Sequence, residues 1–306
     1  MTTNFDFEGV TVLWDNDATL VDSEIIAMKV AVDSVFDYFD GLGLTSNVPV
    51  SDRKKYEVQW AGKQISQMFE QVSQWTDHMI PPGLLDQLCA DDAKRVIIAL
   101  EQVKAIEGIA ETLSELRQAG VEQAVVTSSS LLRVVPGLEN NDLDRFFIAL
   151  SGIEGLGDEP RIWSATETLQ NDVRYGKAIP KSSTAPEIYE FALDATKASK
   201  GKVIAIEDSA SGVGAAVAAG IPVVGLTAAT HIAPEDKEGH AQMLKDKVSD
   251  LLGRPSTDKD IVVVGDPRDI PDTIGRMLDL PLVARKVENA QMKSASSFEA
   301  QGFSGR

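Results

Sequence analysis

Short apolar runs and longer amphipathic stretches alternate along most of the chain. Short apolar runs bounded by turn residues are typical of buried strands, and apolar positions three and four residues apart are typical of helices. The predicted strands are residues 11–14, 124–126, 146–150, 203–206, 222–226 and 261–264. The predicted helices among them are residues 109–118, a helix from about 131, 186–197, 211–219 and 271–278. This alternation indicates βαβ units and predicts an α/β fold with a doubly wound, Rossmann-like parallel sheet.

A long helical stretch interrupts this alternation directly after the first strand. Its aromatic residues recur at helical spacing, which indicates packing and not cofactor binding: Tyr38, Phe39, Trp60, Phe69 and Trp75. We therefore predict a core domain of residues 1–22 and 102–283 with an inserted α-helical cap domain at residues 23–101. Residues 284–306 lack periodicity and are predicted to form a disordered tail.

Composition and charge narrow the possible partners. The 306 residues exceed the usual size of one hydrophobic core, which agrees with a core plus an insertion. A formal net charge of −18 argues against nucleic acid or an anionic membrane as partner. One cysteine, Cys89, excludes an internal disulfide framework. Without a signal-like N-terminus or an apolar run of spanning length, we expect a soluble cytoplasmic protein, monomeric or homodimeric.

Polar side chains follow three of the predicted strands. The residues concerned are Asp15 and Asp17, then Thr127 and Ser128, then Glu207 and Asp208. The carboxyl ends of parallel strands converge, and four carboxylates in one crevice repel one another unless a cation lies among them. Ligation by oxygen alone suits Mg²⁺.

The same residue types suit phosphoryl transfer. One carboxylate can attack phosphorus to form an aspartyl-phosphate while its neighbour handles a proton. Thr127 and Ser128 precede a predicted helix, so hydroxyl and backbone N–H groups are available to a phosphate oxygen. The alternative is structural: the Asp15–Asp17 loop and Asp208 would then serve as helix caps.

Three motifs carry a resemblance to a known family. They read Asp15-Asn16-Asp17-Ala18-Thr19, Val125-Val126-Thr127-Ser128-Ser129 and Glu207-Asp208-Ser209-Ala210-Ser211-Gly212. With these motifs the chain resembles the phosphohydrolases of the haloacid dehalogenase superfamily, in the capped, β-phosphoglucomutase-like branch. The resemblance implies that Asp15 is the nucleophile and Asp17 the general acid and base. It implies that Thr127 and Ser128 bind phosphate, and that Mg²⁺ is held by Asp15, the backbone carbonyl of Asp17, Glu207 and Asp208.

The sequence departs from the family pattern at two places. Ala18 replaces the usual glycine of the first motif, and we expect this to be tolerated because the loop does not require a positive φ. The third motif has a lysine shortly before Pro-x-Pro-Asp, and a gapless alignment places Ser183 there. A short insertion restores Lys181, a longer one Lys177. We predict that Lys181 bridges nucleophile and phosphate, with Lys177 as second choice; alternatively both are surface lysines.

The cap sequence bears on the substrate. Residues 60–64 resemble the cap loop that contacts the leaving group, so Lys63 is a candidate contact or, alternatively, an exposed lysine. Ile65 stands where β-phosphoglucomutases have an arginine, which favours hydrolysis over isomerisation. We predict a Mg²⁺-dependent phosphatase for a small phosphorylated metabolite, a sugar or polyol phosphate. The alternatives are a phosphomutase of the β-phosphoglucomutase type and a catalytically weak phosphate-binding protein. We assign no role to the histidines: His78, His231 and His240.

Overall fold

Six short strands form one parallel sheet at the centre of the molecule. The computed structural model describes residues 5–45, 48–60, 63–148, 161–182 and 184–282. The strands are β1 (Thr11–Trp14), β2 (Glu122–Thr127), β3 (Ile162–Ser164), β4 (Val203–Glu207), β5 (Val223–Leu226) and β6 (Ile261–Val264). Their order is β3-β2-β1-β4-β5-β6, so β1 lies between β2 and β4, where the winding direction reverses. The predicted doubly wound parallel sheet is confirmed.

Eleven α-helices accompany the sheet in the described residues. They are α1 (Ser23–Gly41), α2 (Val50–Gln59), α3 (Ile65–Thr76), α4 (Pro82–Leu100), α5 (Ile109–Gln118), α6 (Leu131–Glu139), α7 (Glu167–Asn171), α8 (Glu187–Thr196), α9 (Ala210–Ala218), α10 (Lys237–Leu252) and α11 (Ile270–Met277). None of the helices described is both long and apolar enough to cross a membrane.

Both faces of the sheet are covered, which is why the interior positions of its strands are mostly apolar. Side chains alternate between the faces along each strand. Val12 and Trp14 of β1 pack into one hydrophobic cluster with α5 and α11, whereas Leu13 packs into a second cluster with α8 and α9. Helices on both faces therefore fix the position of the strand ends.

Helices α1 to α4, which we call the cap, pack around a hydrophobic cluster of their own. Trp60 is fully buried and stacks on Phe36 with ring centroids 5.9 Å apart, and Phe39 and Phe69 are also fully buried. The interpretation of these aromatic residues as packing is confirmed, although Trp75 remains half exposed. The two linkers to the cap run side by side, since Asp22 N–H donates to Lys104 O over 2.9 Å. The exact domain boundaries stay a prediction.

One local expectation was wrong, and two elements were not predicted. Phe146 and Phe147 do not belong to the predicted strand 146–150, because they lie buried in a 3-10 helix, Asp144–Phe147. The last two residues of that predicted strand, 149 and 150, lie outside the described residues. Short apolar runs do not distinguish a strand from a buried turn. The strand that pairs with β2 is β3, which was not predicted. Helix α10 was not predicted either, because only Leu244 and Val248 of its sixteen residues are buried. The predicted tail, residues 284–306, lies outside the described residues.

Candidate active site

Three neighbouring strands deliver the predicted polar residues to one edge of the sheet. Asp15 directly follows β1, Thr127 ends β2, and Glu207 ends β4. The register pairs Trp14 with Val125 on one side and with Ile206 on the other. The residue after Trp14 therefore lies level with the ends of both neighbouring strands. The structure brings together the residues that the three motifs supply.

Lys181 lies at the centre of this group. Its Nζ forms an ion pair with Asp15, donates to Glu207 Oε1 over 2.7 Å and donates to Val126 O over 3.1 Å. The side chain is only 3% exposed, whereas Lys177 lies on the surface. Ser183 is outside the described residues. Of the two candidate lysines, the structure therefore places Lys181 beside Asp15.

A small turn accommodates the extra residues of the third motif. Ser182 and Ala185 exchange backbone hydrogen bonds of 3.3 and 3.0 Å. Pro186 then precedes α8, and Tyr189 in the first turn of this helix donates its hydroxyl to Glu207 Oε1 over 2.6 Å. The insertion thus leaves both the lysine and the helix in contact with the acidic residues.

Asp15, Glu207 and Asp208 form a buried acidic cluster. Each offers an oxygen, and these atoms all lie within 4.8 Å of one another. The Thr19 hydroxyl of the first motif donates to Asp208 Oδ1 over 3.4 Å. One lysine against three buried carboxylates leaves an excess of negative charge. The donor set, oxygen alone, fits a hard divalent cation such as Mg²⁺.

The pKa values of two buried carboxyl groups, Asp15 and Asp208, are raised, which reflects the same excess of negative charge. Burial raises the pKa of Asp15 to about 8, with Lys181 opposing and Glu207 reinforcing the shift. Burial and the neighbouring carboxylates Asp15 and Glu207 also raise the pKa of Asp208 well above its usual value. Burial alone would lower the pKa of Lys181, but the two carboxylates that it contacts raise it, so the ammonium stays charged. A cation in the cluster would stabilise the ionised carboxylates.

The fourth motif positions Glu207 and caps helix α9 with Ser209, not with Asp208. Ser209 is the N-cap of α9, and its hydroxyl accepts from Gly212 N over 3.1 Å. The alternative role of Asp208 as a helix cap is therefore wrong. A Cβ atom at Gly212 would lie 1.9 Å from Glu207 Oε2, so only glycine leaves room for this carboxylate.

Asp17 has partners that the sequence did not predict. Its carboxylate accepts hydrogen bonds from Ser23 Oγ and Ser129 Oγ, each over 2.6 Å, and from Arg133 NH2 over 3.3 Å. Burial would raise the pKa of Asp17, but Arg133 and the two hydroxyls outweigh it and hold this pKa below its usual value. Asp17 is thus ionised here, and its side chain is not part of the acidic cluster. Ser129 and Arg133 lie more than a hundred positions from Asp17, so no local spacing indicates these contacts.

The two predicted phosphate-binding residues lie at the end of β2. Thr127 is buried and its hydroxyl accepts from Ser129 N over 3.0 Å, while Ser128 Oγ accepts from Lys181 N over 3.2 Å. Helix α6 begins three residues later at Leu131. Hydroxyl groups and a helix N-terminus therefore lie beside Asp15, as a phosphate site requires.

Ala18 has a positive φ of 58°, so the expectation that this loop avoids the left-handed region was wrong. Ala18 N–H donates to Val21 O over 2.9 Å, which closes the loop that holds Asp17. An alanine in this conformation carries strain that glycine would not. The tight turn between the first strand and the cap linker requires this backbone conformation.

A cavity of about 670 Å³ separates the acidic cluster from the cap. The core side includes His231 and His240, to which the sequence analysis assigned no role, and His240 Nε2 lies 2.6 Å from Asp208 O. No spacing along the chain could have indicated them, because they are brought to the cavity from outside the motifs. Lys63 does not line this cavity; it is exposed and its Nζ donates to Gln71 Oε1 over 2.8 Å. The cap lines the cavity with Glu24, Ile25, Met28, Lys54 and Glu57.

The doubly wound sheet, the acidic cluster at its carboxyl edge and the helical cap define a class of capped α/β proteins with a carboxylate-rich site. Comparison with known families assigns the chain within that class. The model of the haloacid dehalogenase-like hydrolases matches residues 10–220, so the chain belongs to this family.

Solved structures with the same fold come from several bacteria. A haloacid dehalogenase-like protein of unknown function from Agrobacterium tumefaciens is 27% identical, with a TM-score of 0.60 over 88% of this chain and 99% of that chain. A family hydrolase from Deinococcus radiodurans, with bound phosphate and sodium, is 24% identical (TM-score 0.58, 92% and 100% covered). A predicted phosphoglycolate phosphatase from Haemophilus somnus is 18% identical (TM-score 0.55, 89% and 99% covered). The last two likenesses concern the fold alone.

Proposed function

We propose that this hydrolase is a Mg²⁺-dependent phosphatase that cleaves a small phosphorylated metabolite, a sugar or polyol phosphate, through an aspartyl-phosphate. The observation that carries the proposal is the position of Asp15. Its buried carboxylate lines the cavity, pairs with Lys181 and lies in one cluster with Glu207 and Asp208. The site thus offers a nucleophile, a lysine ammonium that can bind phosphate, and oxygen ligands for a metal.

Asp15 attacks phosphorus with a carboxylate oxygen, and the ester oxygen leaves. Lys181 offsets the repulsion between this carboxylate and the phosphate dianion. Thr127 and Ser128 orient the phosphate oxygens by their hydroxyl groups. Asp15, Glu207, Asp208 and the backbone carbonyl of Asp17 would hold Mg²⁺, which would supply charge neutralisation for the transferring group.

Asp17 moves the protons. In its ionised form it is ready to accept a proton from the water that hydrolyses the aspartyl-phosphate. To protonate the leaving alkoxide in the first step, Asp17 must first gain a proton. A phosphate dianion that enters beside it raises its pKa, because two like charges disfavour each other. The substrate therefore counteracts the effect of Arg133 on Asp17.

Hydrolysis is favoured over isomerisation because the described cap residues contribute only one cationic side chain to the cavity wall. A bisphosphate intermediate needs a second phosphate clamp remote from Lys181. Among the described residues of the cap, Lys54 is the one lysine or arginine in the cavity wall. Ile65, at the start of α3, packs against the hydrophobic cluster of the cap.

The test is phosphate release from a panel of phosphate monoesters, with Mg²⁺ and with EDTA. We expect turnover that requires Mg²⁺ and is concentrated on sugar or polyol phosphates. Asp15→Asn should abolish turnover while the circular dichroism spectrum stays close to that of the wild type. Substantial activity in Asp15→Asn would overturn the proposal. Isomerised sugar phosphate without free phosphate would indicate a mutase, and phosphate binding without turnover of any ester would indicate a binding protein.

A further inference from the structure

Helix α2 presents two oppositely charged side chains to the cavity. Lys54 and Glu57 both line it, and their spacing of three residues places them on one face of the helix. Within the described residues neither side chain has a hydrogen bond or an ion pair. Their polar atoms are therefore available to a ligand.

An adjacent face of α2 is anchored in the cap. Arg53 is only 8% exposed, forms an ion pair with Asp40 and lies 4.8 Å above the ring of Phe36. Tyr56 is buried and lies 4.9 Å from Trp60, ring centroid to centroid. These contacts fix the rotation of α2 about its axis. The direction in which Lys54 and Glu57 face is thus determined by packing and does not depend on an exposed loop.

The core contributes His231 to the same cavity. The preceding residue, Thr230, donates its backbone N–H to Asp22 Oδ1 over 3.1 Å and its hydroxyl to the other oxygen of Asp22. Asp22 belongs to the linker between core and cap. These contacts tie the loop that carries His231 to the base of the cap, so His231 and the cap residues are positioned together.

The charges of the outer cavity disfavour a second anion. Glu24 and Glu57 contribute two carboxylates to the cap wall, and Lys54 contributes one ammonium. The ammonium of Lys181, deeper in the cavity, does not offset these carboxylates, because it already pairs with Asp15 and Glu207. A leaving group with a carboxylate or a second phosphate would meet a surplus of negative charge, whereas hydroxyl groups can both donate to Glu57 and accept from Lys54.

Apolar side chains complete the match to a carbohydrate-like group. Ile25 and Met28 of α1 and Met243 of α10 also line the cavity. Carbon-bound hydrogens of a sugar or polyol pack against such side chains while the hydroxyl groups bind polar ones.

We propose that Lys54, Glu57 and His231 bind the hydroxyl groups of an uncharged, polyhydroxylated leaving group, and that Glu57 together with Glu24 excludes leaving groups that carry a negative charge. This inference rests on the proposed phosphatase function and assigns its specificity to named residues.

The experiment compares matched substrates that differ by one carboxylate. The kcat/KM of the full-length protein with Mg²⁺ is measured for sorbitol 6-phosphate against 6-phosphogluconate and for glycerol phosphate against phosphoglycerate. We expect the uncharged member of each pair to be preferred by roughly 3- to 30-fold. Coulomb's law gives that range for unit charges about 8 Å apart at effective dielectric constants of about 20 to 80.

Glu57→Gln tests the residue that carries the inference. It should raise kcat/KM for the carboxylate member of each pair and reduce the preference by roughly 3-fold or more, because a like charge is removed. Asp52→Asn is the matched control, since Asp52 lies on the same helix, is exposed and does not line the cavity. Its substrate preference should equal that of the wild type.

Three outcomes overturn the inference. Equal turnover of both members, or preference for the anionic member, contradicts the charge argument while the phosphatase function stands. An unchanged preference in Glu57→Gln contradicts the role of this residue. Lack of turnover on both pairs and on the wider monoester panel overturns the proposed function itself, and the inference with it.

Discussion

Gly212→Ala is the substitution whose effect follows most directly from the geometry of the site. The added Cβ would lie 1.9 Å from Glu207 Oε2 and 2.1 Å from Glu207 Cδ. Ordinary contacts between such atoms need about 3.5 Å, so the carboxylate must retreat by roughly 1.5 Å. That movement breaks the hydrogen bonds that Glu207 accepts from Tyr189 over 2.6 Å and from Lys181 over 2.7 Å.

Helix propensity alone predicts the opposite effect of this substitution, so the test distinguishes the two. Alanine is favoured over glycine inside a helix by about 1 kcal/mol, so without the clash Gly212→Ala would stabilise α9. With the clash, we expect the Mg²⁺ concentration for half-maximal activity to rise about 10- to 100-fold. This is the range seen when groups that orient a metal ligand are removed.

The assay is a Mg²⁺ titration of phosphate release, together with the Tm of the protein with and without Mg²⁺. Gly83→Ala is the matched control, because Gly83 lies in α4 and a Cβ there would have no neighbour within 4 Å. The control should keep the Mg²⁺ dependence of the wild type. If Gly212→Ala also keeps it, the Glu207 carboxylate does not lie against Gly212, and its proposed role as a metal ligand is contradicted.

Three further predictions concern the lysine, the charge of the site and the strained loop. Lys181→Met should lower stability by about 3 kcal/mol in a denaturation assay, because it leaves buried carboxylates unpaired. It should also reduce kcat at least about 100-fold in a turnover assay, whereas Lys177→Met should change neither quantity. Because burial raises the pKa of Asp15 from 3.8 to about 8, the folded metal-free protein binds more protons than the unfolded chain between these values. Its stability therefore falls as the pH rises through this window. The gain in Tm from saturating Mg²⁺ should be roughly 5 °C larger at about pH 8 than at about pH 5; an equal gain would contradict the charge argument. At Ala18, buried with a φ of 58°, valine should cost about 3 kcal/mol and glycine less than about 1 kcal/mol in urea unfolding, and a well-tolerated valine would contradict the positive φ.

Much of the fold could be predicted because local patterns and tertiary packing agree there. The helix α5 has the predicted bounds, and the strands that became β1, β2, β4, β5 and β6 were found within a few residues. Phe146 and Phe147 gave a false strand because a buried turn and a buried strand need the same apolar residues. Helix α10 was missed because most of its surface faces solvent, so the periodic apolar signal was confined to one narrow stripe.

In the candidate site, too, some residues could be identified from the sequence and others could not. Asp15, Thr127, Glu207 and Asp208 were identifiable because each directly ends or follows an apolar strand, and parallel strands meet at that edge. The partners of Asp17 were not identifiable. Ser129 and Arg133 reach it from more than a hundred positions away, and no property of either residue alone indicates that contact.

The sequence by itself determined the class of fold, the three strand ends that carry the polar residues and the excess of negative charge at those ends. Each of these depends on residues close together in the chain or on total composition. Only the tertiary structure decided that Lys181, and not Lys177, lies beside Asp15, and that Lys54, Glu57 and His231 share one cavity. The physical reason is that such contacts depend on how helices rotate and loops fold against one another, and packing over the whole molecule fixes that.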